Sequence, residues 1–361
     1  MGPTGLGEAE LAVVRAGCTR FLNGHGVRGA AEMLATIPTG IETDRYGSGG
    51  VVAELEAEVA SLLGKAAALF LPSGTMAQQA TLRVHAERTG RRAIVFHPAC
   101  HLDWHEGRGY QRLHGLVGVP AATMGTPLTR AGLDAIHEPP AALLIELPQR
   151  DLGGTLPAWD DLVAQVAWAR ERGAAVHMDG ARLWEATAGY RRPASEIAAL
   201  FDTVYVSFYK GLGGIAGCCV AGDADVVAEV SEWRTRHGGR VFALWPYAGS
   251  ALGVLRSRLP RMPAYHAQAL AIASAVGDLP GVDVLPDPPQ APMMHLQLSV
   301  TVAELEGRAL AIAQRDKIWT FPRPFSTVSP RLQRIEVSVG EATMGFTPAE
   351  VRDLIREIAC P

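Results

Sequence analysis

His177-Met178-Asp179-Gly180-Ala181-Arg182 and Ser207-Phe208-Tyr209-Lys210-Gly211 decide how this chain reads. Each follows or closes a short apolar run that has the length of a buried strand, Ala174–Met178 for the first and Thr203–Ser207 for the second. In an open α/β sheet the loops that leave such strands gather at the carboxyl edge, where ligands bind. An aspartate there can form a lasting ion pair with a heterocyclic nitrogen, and a lysine on a neighbouring loop can hold an aldehyde as a Schiff base. Together they point to pyridoxal 5'-phosphate.

Outward from these segments, helices and strands alternate. Val52–Leu63 has helical apolar spacing, Ala66–Leu71 reads as a strand ended by Pro72-Ser73-Gly74-Thr75, and Met76–Glu87 resumes the helical period. Ala93–Phe96, Ala142–Ile145 and Gly217–Val220 are further strands, with helices expected over Ala158–Arg172 and Asp223–His237. This is the pattern of an α/β fold, a mainly parallel sheet with helices on both faces. After Pro260 the pattern changes. A helix at Ala264–Val276 leads to strands at Gly281–Leu285, Met294–Val300, Lys317–Thr320 and Arg334–Val339, with helices at Val302–Gln314 and Thr347–Ile358, so a second, smaller α/β unit with antiparallel strands is expected. The division is an N-terminal segment 1–28, a large domain 29–258 and a small C-terminal domain 259–361, and Pro286–Pro292 reads as a surface loop in the small domain.

Composition narrows the partners. A chain of 361 residues with 19% charged residues and a net charge of −4 can bury a large core and gives no electrostatic reason to bind nucleic acid or an anionic membrane. Small molecules are the expected ligands. Met1–Gly17 lacks the basic start and apolar centre of an export signal, and no apolar run reaches membrane-spanning length. Five cysteines, Cys18, Cys100, Cys218, Cys219 and Cys360, lack C-x-x-C spacing, so neither a disulfide framework, a zinc site nor any other metal site follows, and a cytoplasmic setting is expected.

Each site residue has a plainer alternative. Ser73-Gly74-Thr75 between strand and helix offers backbone N–H groups to a phosphate, or simply caps the helix. Asp179 faces a pyridine nitrogen or caps the next helix, and Arg182 donates to a ring hydroxyl or lies on the surface. Lys210 stands with Ser207 and the glycines Gly211, Gly213 and Gly214, in a chain whose other lysines are Lys65 and Lys317. It is the Schiff-base candidate. His101, after the Ala93–Phe96 strand, could stack on a flat cofactor or be structural.

In this order the segments resemble the threonine aldolase branch of the fold-type I pyridoxal phosphate enzymes, the β-eliminating lyases. The matching stretches are Tyr46-Gly47, Leu69-Phe70-Leu71-Pro72-Ser73-Gly74-Thr75-Met76-Ala77, His101 with Glu106, His177–Leu183 and Lys210-Gly211-Leu212-Gly213. The resemblance implies a seven-stranded, mainly parallel sheet. It also implies phosphate on Gly74 and Thr75, His101 against the ring, Asp179 on the ring nitrogen, Arg182 on the phenolic oxygen and Lys210 bonded to the aldehyde. Arg331, with Arg334 as fallback, looks like the arginine that clamps the substrate carboxylate, and Asn23, Gln149 and Tyr46 are further candidates for substrate contact. A homodimer or homotetramer with sites at the subunit interface is implied, with Tyr46 and the Arg234–Arg240 stretch reaching a neighbour's cofactor. The expected reaction is cleavage or formation of the Cα–Cβ bond of a β-hydroxy-α-amino acid, giving glycine and an aldehyde. A β-lyase, a glycyl transaldolase or a non-catalytic scaffold are the alternatives.

Departures from the family pattern bear on the substrate. Glu146-Leu147-Pro148-Gln149 stands where threonine aldolases commonly have Glu-Asn-Thr-His, Ser48-Gly49 replaces an acidic pair, and Phe21–Gly26 replaces the Arg-Ser-Asp-Thr-Val-Thr signature. His25 or His105 could supply the displaced acid/base group.

Overall fold

The computed structural model describes residues 8–320, 324, 325, 327 and 329–359. Its chain divides into two compact units. One comprises Gly29–Asp151 and Leu156–Pro260, and the other the stretch up to Arg28, Leu152–Thr155 and the chain from Arg261 onward.

The first unit is built on a seven-stranded sheet. Its strands are Ala67–Leu71 (β1), Ala93–Phe96 (β2), Val117–Pro120 (β3), Pro140–Glu146 (β4), Ala175–Gly180 (β5), Thr203–Ser207 (β6) and Cys218–Gly222 (β7), in spatial order β1-β7-β6-β5-β4-β2-β3. The pairs β6–β5, β5–β4, β4–β2 and β2–β3 are parallel, and β7 runs antiparallel to both β6 and β1. Two successive reversals return β1 to the direction of β6. The carboxyl ends of β1, β4, β5 and β6 therefore share one edge, which assembles the site.

Helices cover both faces, so the strands are largely apolar, with His177 and Thr203 as buried polar exceptions; every residue of β4 is buried. Gly50–Leu63 (α1) buries Val51, Val52, Leu55, Val59 and Leu63. Gly74–Thr89 (α2) places Ala77, Ala80 and Val84 against Leu69, Leu71, Tyr205, Cys218 and Val220, with Val226, Val227 and Val230 of the helix Ala224–Arg236 closing the cluster. A second cluster joins Leu82 and Ala86 of α2 to Ile94, Phe96, Ala142 and Leu144.

The sequence reading missed the edge strand β3, which has little apolar patterning, and the helix Trp245–Arg258. That helix buries Ala248, Gly249, Ser250 and Ala251, small residues with weak hydropathy contrast. They are small because the chain passes close by: a Cβ on Gly253 would lie 2.0 Å from the carbonyl oxygen of Thr36.

In the second unit, Met293–Leu298 pairs antiparallel with both Val282–Leu285 and Gln333–Ser338. Arg20–Phe21 pairs in parallel with Ile318–Trp319, so the N-terminal stretch is built into this unit. Pro286–Pro292 is irregular as expected, but not purely superficial: Pro289, Ala291 and Pro292 are buried. Cys360 lies outside the described residues, and Cys18, Cys100, Cys218 and Cys219 are free, buried thiols. No described helix is long and apolar enough to cross a membrane.

Candidate active site

At the carboxyl edge of the sheet a cleft with about 470 Å³ of empty space is lined by Gly74, Thr75, Gln78, His101, Glu146, Asp179, Arg182 and Lys210, among others. The register explains the convergence: Glu146 of β4 pairs with Asp179 of β5, which pairs with Tyr205 of β6, so three polar side chains stand side by side at the strand ends.

Asp179 is 2% exposed and accepts the Ala181 N–H through Oδ1 at 3.1 Å. Burial pushes its carboxyl up to about 6, against the opposing pull of His101. Beside it, Glu146 rises to about 8, because it is buried and faces the Asp179 charge. Glu146 also ties the site together. Its carboxylate accepts the backbone N–H of His101 at 3.1 Å and of Arg150 at 3.0 Å, and the Gln149 side-chain amide at 3.2 Å.

His101 Nδ1 lies 3.1 Å from Glu106 Oε1; that carboxylate raises the imidazole pKa and fixes the ring. The His105 ring stands 5.1 Å from that of His101, with Nε2 3.3 Å from Asp151 Oδ2. Arg182 is the residue at the start of the helix Leu183–Tyr190, with Nη1 4.0 Å from Glu185 Oε1. The half-buried Lys210 holds Nζ 4.9 Å from the centre of the Tyr209 ring.

α2 begins at the cleft wall. Ser73 precedes it without a side-chain capping bond, so the first backbone N–H groups of the helix are not satisfied by that hydroxyl. Gly74 is required by close approach, since a Cβ would meet the Tyr205 hydroxyl at 2.2 Å. Gly74→Ala should destabilise the fold by about 1–3 kcal/mol, with a lowered thermal unfolding midpoint as the readout.

Seven expected residues, Gly74, Thr75, His101, Asp179, Arg182 and Lys210 with Glu106 of the matching motif, line this one cleft. Ser73, Ser207 and Gln149 do not line it. Ser207 is buried at the end of β6, where its carbonyl accepts the Trp184 indole N–H, and the Gln149 amide is turned to Ala99 O and Glu146. Tyr46 is exposed, packed edge-on against Phe242 at 5.2 Å, with Arg240 5.8 Å from its ring centre. The adjoining turn is held by buried Asp44, which accepts N–H bonds from Gly47, Leu244 and Trp245. Asn23, His25, Arg331 and Arg334 belong to the second unit. There Arg334 lies over the Phe325 ring, Arg331 is exposed, and His25 Nδ1 accepts the Glu341 N–H at 3.3 Å.

Sequence reading overlooked Gln78, Glu146, Arg150, Tyr205 and Tyr209 as site residues. Glu146 carried a usable signal, a lone acid ending an apolar run, the same signature that revealed Asp179.

The donor set fits pyridoxal phosphate. A buried carboxylate pushed up by desolvation is relieved by a cationic heterocycle, an amine stands in the same cleft, and a helix start suits a phosphate. Comparison with known proteins agrees: the family model for β-eliminating lyases matches residues 27–299. The chain belongs to that family. Its members place it among the threonine aldolase-like, pyridoxal phosphate-dependent lyases. An L-threonine aldolase of low specificity from Escherichia coli K12 is 31% identical over 271 residues, 72% of this chain and 78% of the relative. An aldolase of Penicillium aethiopicum is 35% identical over 214 residues, and there the match spans only 54% of the relative's length and 57% of this chain. A solved structure assigned as L-allo-threonine aldolase from Listeria monocytogenes EGD-E shares 36% identity and a TM-score of 0.91, covering 99% of both chains.

The buried carboxyls give this member of the family a pH signature. Asp179 (about 6), Glu146 (about 8), Glu56 (about 7) and Glu185 (about 7) all titrate above their ordinary values. The folded chain thus keeps protons that the unfolded chain has released, and stability falls as pH rises through these values. Buried His85, His114 and His177, held down at about 4, 4 and 3, act oppositely, but only up to their ordinary value of 6.5. From pH 6.5 to 8 the carboxyls prevail. The unfolding midpoint of the apoprotein should drop across that interval, and Glu146→Gln should flatten the slope in thermal melts taken at half-unit pH steps.

Proposed function

We propose that this chain is an aldolase that splits, or in reverse forms, the Cα–Cβ bond of a β-hydroxy-α-amino acid, with glycine and an aldehyde as the other side of the reaction. The observation that carries this reading is the convergence of Asp179, Arg182, Lys210 and His101 on one cleft at the carboxyl edge of the sheet. Pyridoxal phosphate, when bound, supplies a ring that accepts the electron pair of the broken bond.

The protein's own groups do the rest. Asp179 would keep a proton on the ring nitrogen, Arg182 would donate to the phenolic oxygen, and the N–H groups of Gly74 and Thr75 would hold the phosphate, with Ser73 and Ser207 as flanking candidates outside the cleft lining. His101, its ring held by Glu106, would lie against the cofactor face. Lys210 would hold the aldehyde as a Schiff base, and its amine, once freed, would be placed to deliver a proton at the substrate's Cα. Arg331, with Arg334 as the fallback, is the candidate to bind the substrate carboxylate, with Asn23 and Tyr46 as further candidate contacts, whereas the Gln149 amide as placed is engaged by Ala99 and Glu146. On this reading residues 29–258 form the cofactor domain and 259–361 the small domain.

A homodimer or homotetramer with shared sites is supported by the exposed aromatics Tyr46 and Phe242 beside Arg240. Light scattering of the purified protein tests it. Buried free thiols support a reducing, cytoplasmic setting. The alternative of a β-lyase or glycyl transaldolase draws on Arg150, which lines the cleft just after the Leu147-Pro148-Gln149 segment and would favour a substrate other than threonine.

The test is to load the apoprotein with pyridoxal phosphate and supply threonine, allo-threonine and phenylserine. Glycine and the matching aldehyde are expected. Ammonia and a 2-oxo acid without glycine would sink the aldolase reading in favour of a lyase.

A further inference from the structure

Behind the cleft lies a buried row of polar groups that the chemistry above leaves unused. His85 Nε2 is 2.8 Å from Thr203 Oγ1, Thr203 Oγ1 is 2.8 Å from His177 Nδ1, and His177 Nε2 is 2.6 Å from Gln78 Oε1. The four residues are 3%, 0%, 0% and 1% exposed. The row ends at the cleft wall, because Gln78 is one of the lining residues. There its Nε2 is buried with no hydrogen-bond partner among the described residues. A buried amide donor left without an acceptor is costly, and such a group calls for an explanation.

With the carboxamide placed as it is, the protons of the row have one consistent order. With its carbonyl turned to His177, Gln78 accepts from Nε2–H, so His177 Nδ1 is bare and takes the Thr203 hydroxyl proton. Thr203 in turn accepts from His85 Nε2–H. Burial holds both imidazoles neutral, which leaves each one ring proton for this pattern. As placed, every bond runs toward Gln78, and the carboxamide can turn over only if both imidazole tautomers and the Thr203 hydroxyl reverse with it. Gln78 lines the same cleft as Gly74 and Thr75, which lie one turn earlier on α2.

We infer that Gln78 is a cofactor-binding residue whose carboxamide N–H, aimed by the His85–Thr203–His177 row, hydrogen-bonds an anionic oxygen of the pyridoxal phosphate held in this cleft. The inference rests on the cofactor reading proposed above. Two oxygens have the required chemistry, that of the phosphate and that of the ring hydroxyl.

Fluorescence titration of apoprotein with pyridoxal 5'-phosphate, and in parallel with pyridoxal, separates them. Gln78→Met removes the donor. Gln78→Glu fills the same space and still accepts from His177, but when ionised offers the cleft an acceptor. Both should bind pyridoxal phosphate about ten- to a hundredfold more weakly than the parent, and the Gln78→Glu deficit should be larger at pH 9 than at pH 6. A deficit that disappears with pyridoxal assigns the contact to the phosphate; one that persists assigns it to the ring oxygen. Thermal unfolding identifies which variants fold, and if Gln78→Met does not, the isosteric Gln78→Glu decides alone. Parent-like affinity of the folded variants, or a Gln78→Glu protein that binds as tightly as the parent at pH 9, would overturn the inference. A parent that binds no pyridoxal phosphate would instead bring down the cofactor reading itself.

Discussion

Lys210→Ala should abolish turnover, lowering kcat by at least about 10³-fold, because the substitution removes both covalent attachment and the proton carrier at Cα. Half-buried against the Tyr209 ring, Lys210 is the lysine that lines the cleft. Lys65 donates to the Phe201 carbonyl and Lys317 to that of Gln314, so each is engaged elsewhere. The parent, loaded with cofactor, should show a near-visible absorption band that borohydride removes while fixing the cofactor to the peptide carrying Lys210. In Lys210→Ala mass spectrometry after borohydride should find no such adduct. An adduct at another residue, or turnover within about tenfold of the parent, would show that the attachment point lies elsewhere.

Asp179→Asn is expected to have the next largest effect. The amide keeps the shape of the strand end and can still accept the Ala181 N–H, but it cannot balance a positive charge in a site that is 2% exposed. Loss of a preorganised charge in such surroundings costs about 10²–10³ in kcat, with cofactor affinity weakened as well. A pH test separates this role from mere packing. The Asp179 carboxyl sits at about 6 in the protein alone, so below that value it is protonated and attracts a cationic ring less. Affinity of the parent for pyridoxal phosphate should fall as pH drops through about 6, and Asp179→Asn should lose that component of the dependence. An unchanged pH profile in the variant would assign the titration to a neighbour such as His101.

Both predictions concern residues that were legible in the sequence, and the reason is local. Asp179 and Lys210 stand near the ends of mainly apolar strands, since a central parallel strand is buried on both faces and carries few polar residues before the ligand edge. An acid or a lysine at such a boundary announces itself. Gly74 and Thr75 were legible for a related reason, as a glycine-containing turn between strand and helix.

Other parts of the site had no such local mark. Gln78 lies inside a helix, where a glutamine normally belongs to the solvated face, and only the docking of α2 on β5 and β6 brings it to His177. Gln149 was expected to touch substrate from its place in a motif, yet its amide reaches back to Ala99 and Glu146. The helix Trp245–Arg258 escaped because its buried face is made of small residues chosen for close approach.

The amino-acid sequence by itself thus determined the α/β alternation, the strand ends and the chemical types gathered there, since hydropathy period and boundary residues depend on near neighbours along the chain. Only the tertiary structure decided that Glu146, Asp179 and Tyr205 stand in register, and that a row from His85 ends at Gln78. Strand register and helix docking are set by packing between segments far apart in sequence, which leaves no periodic trace in either segment alone.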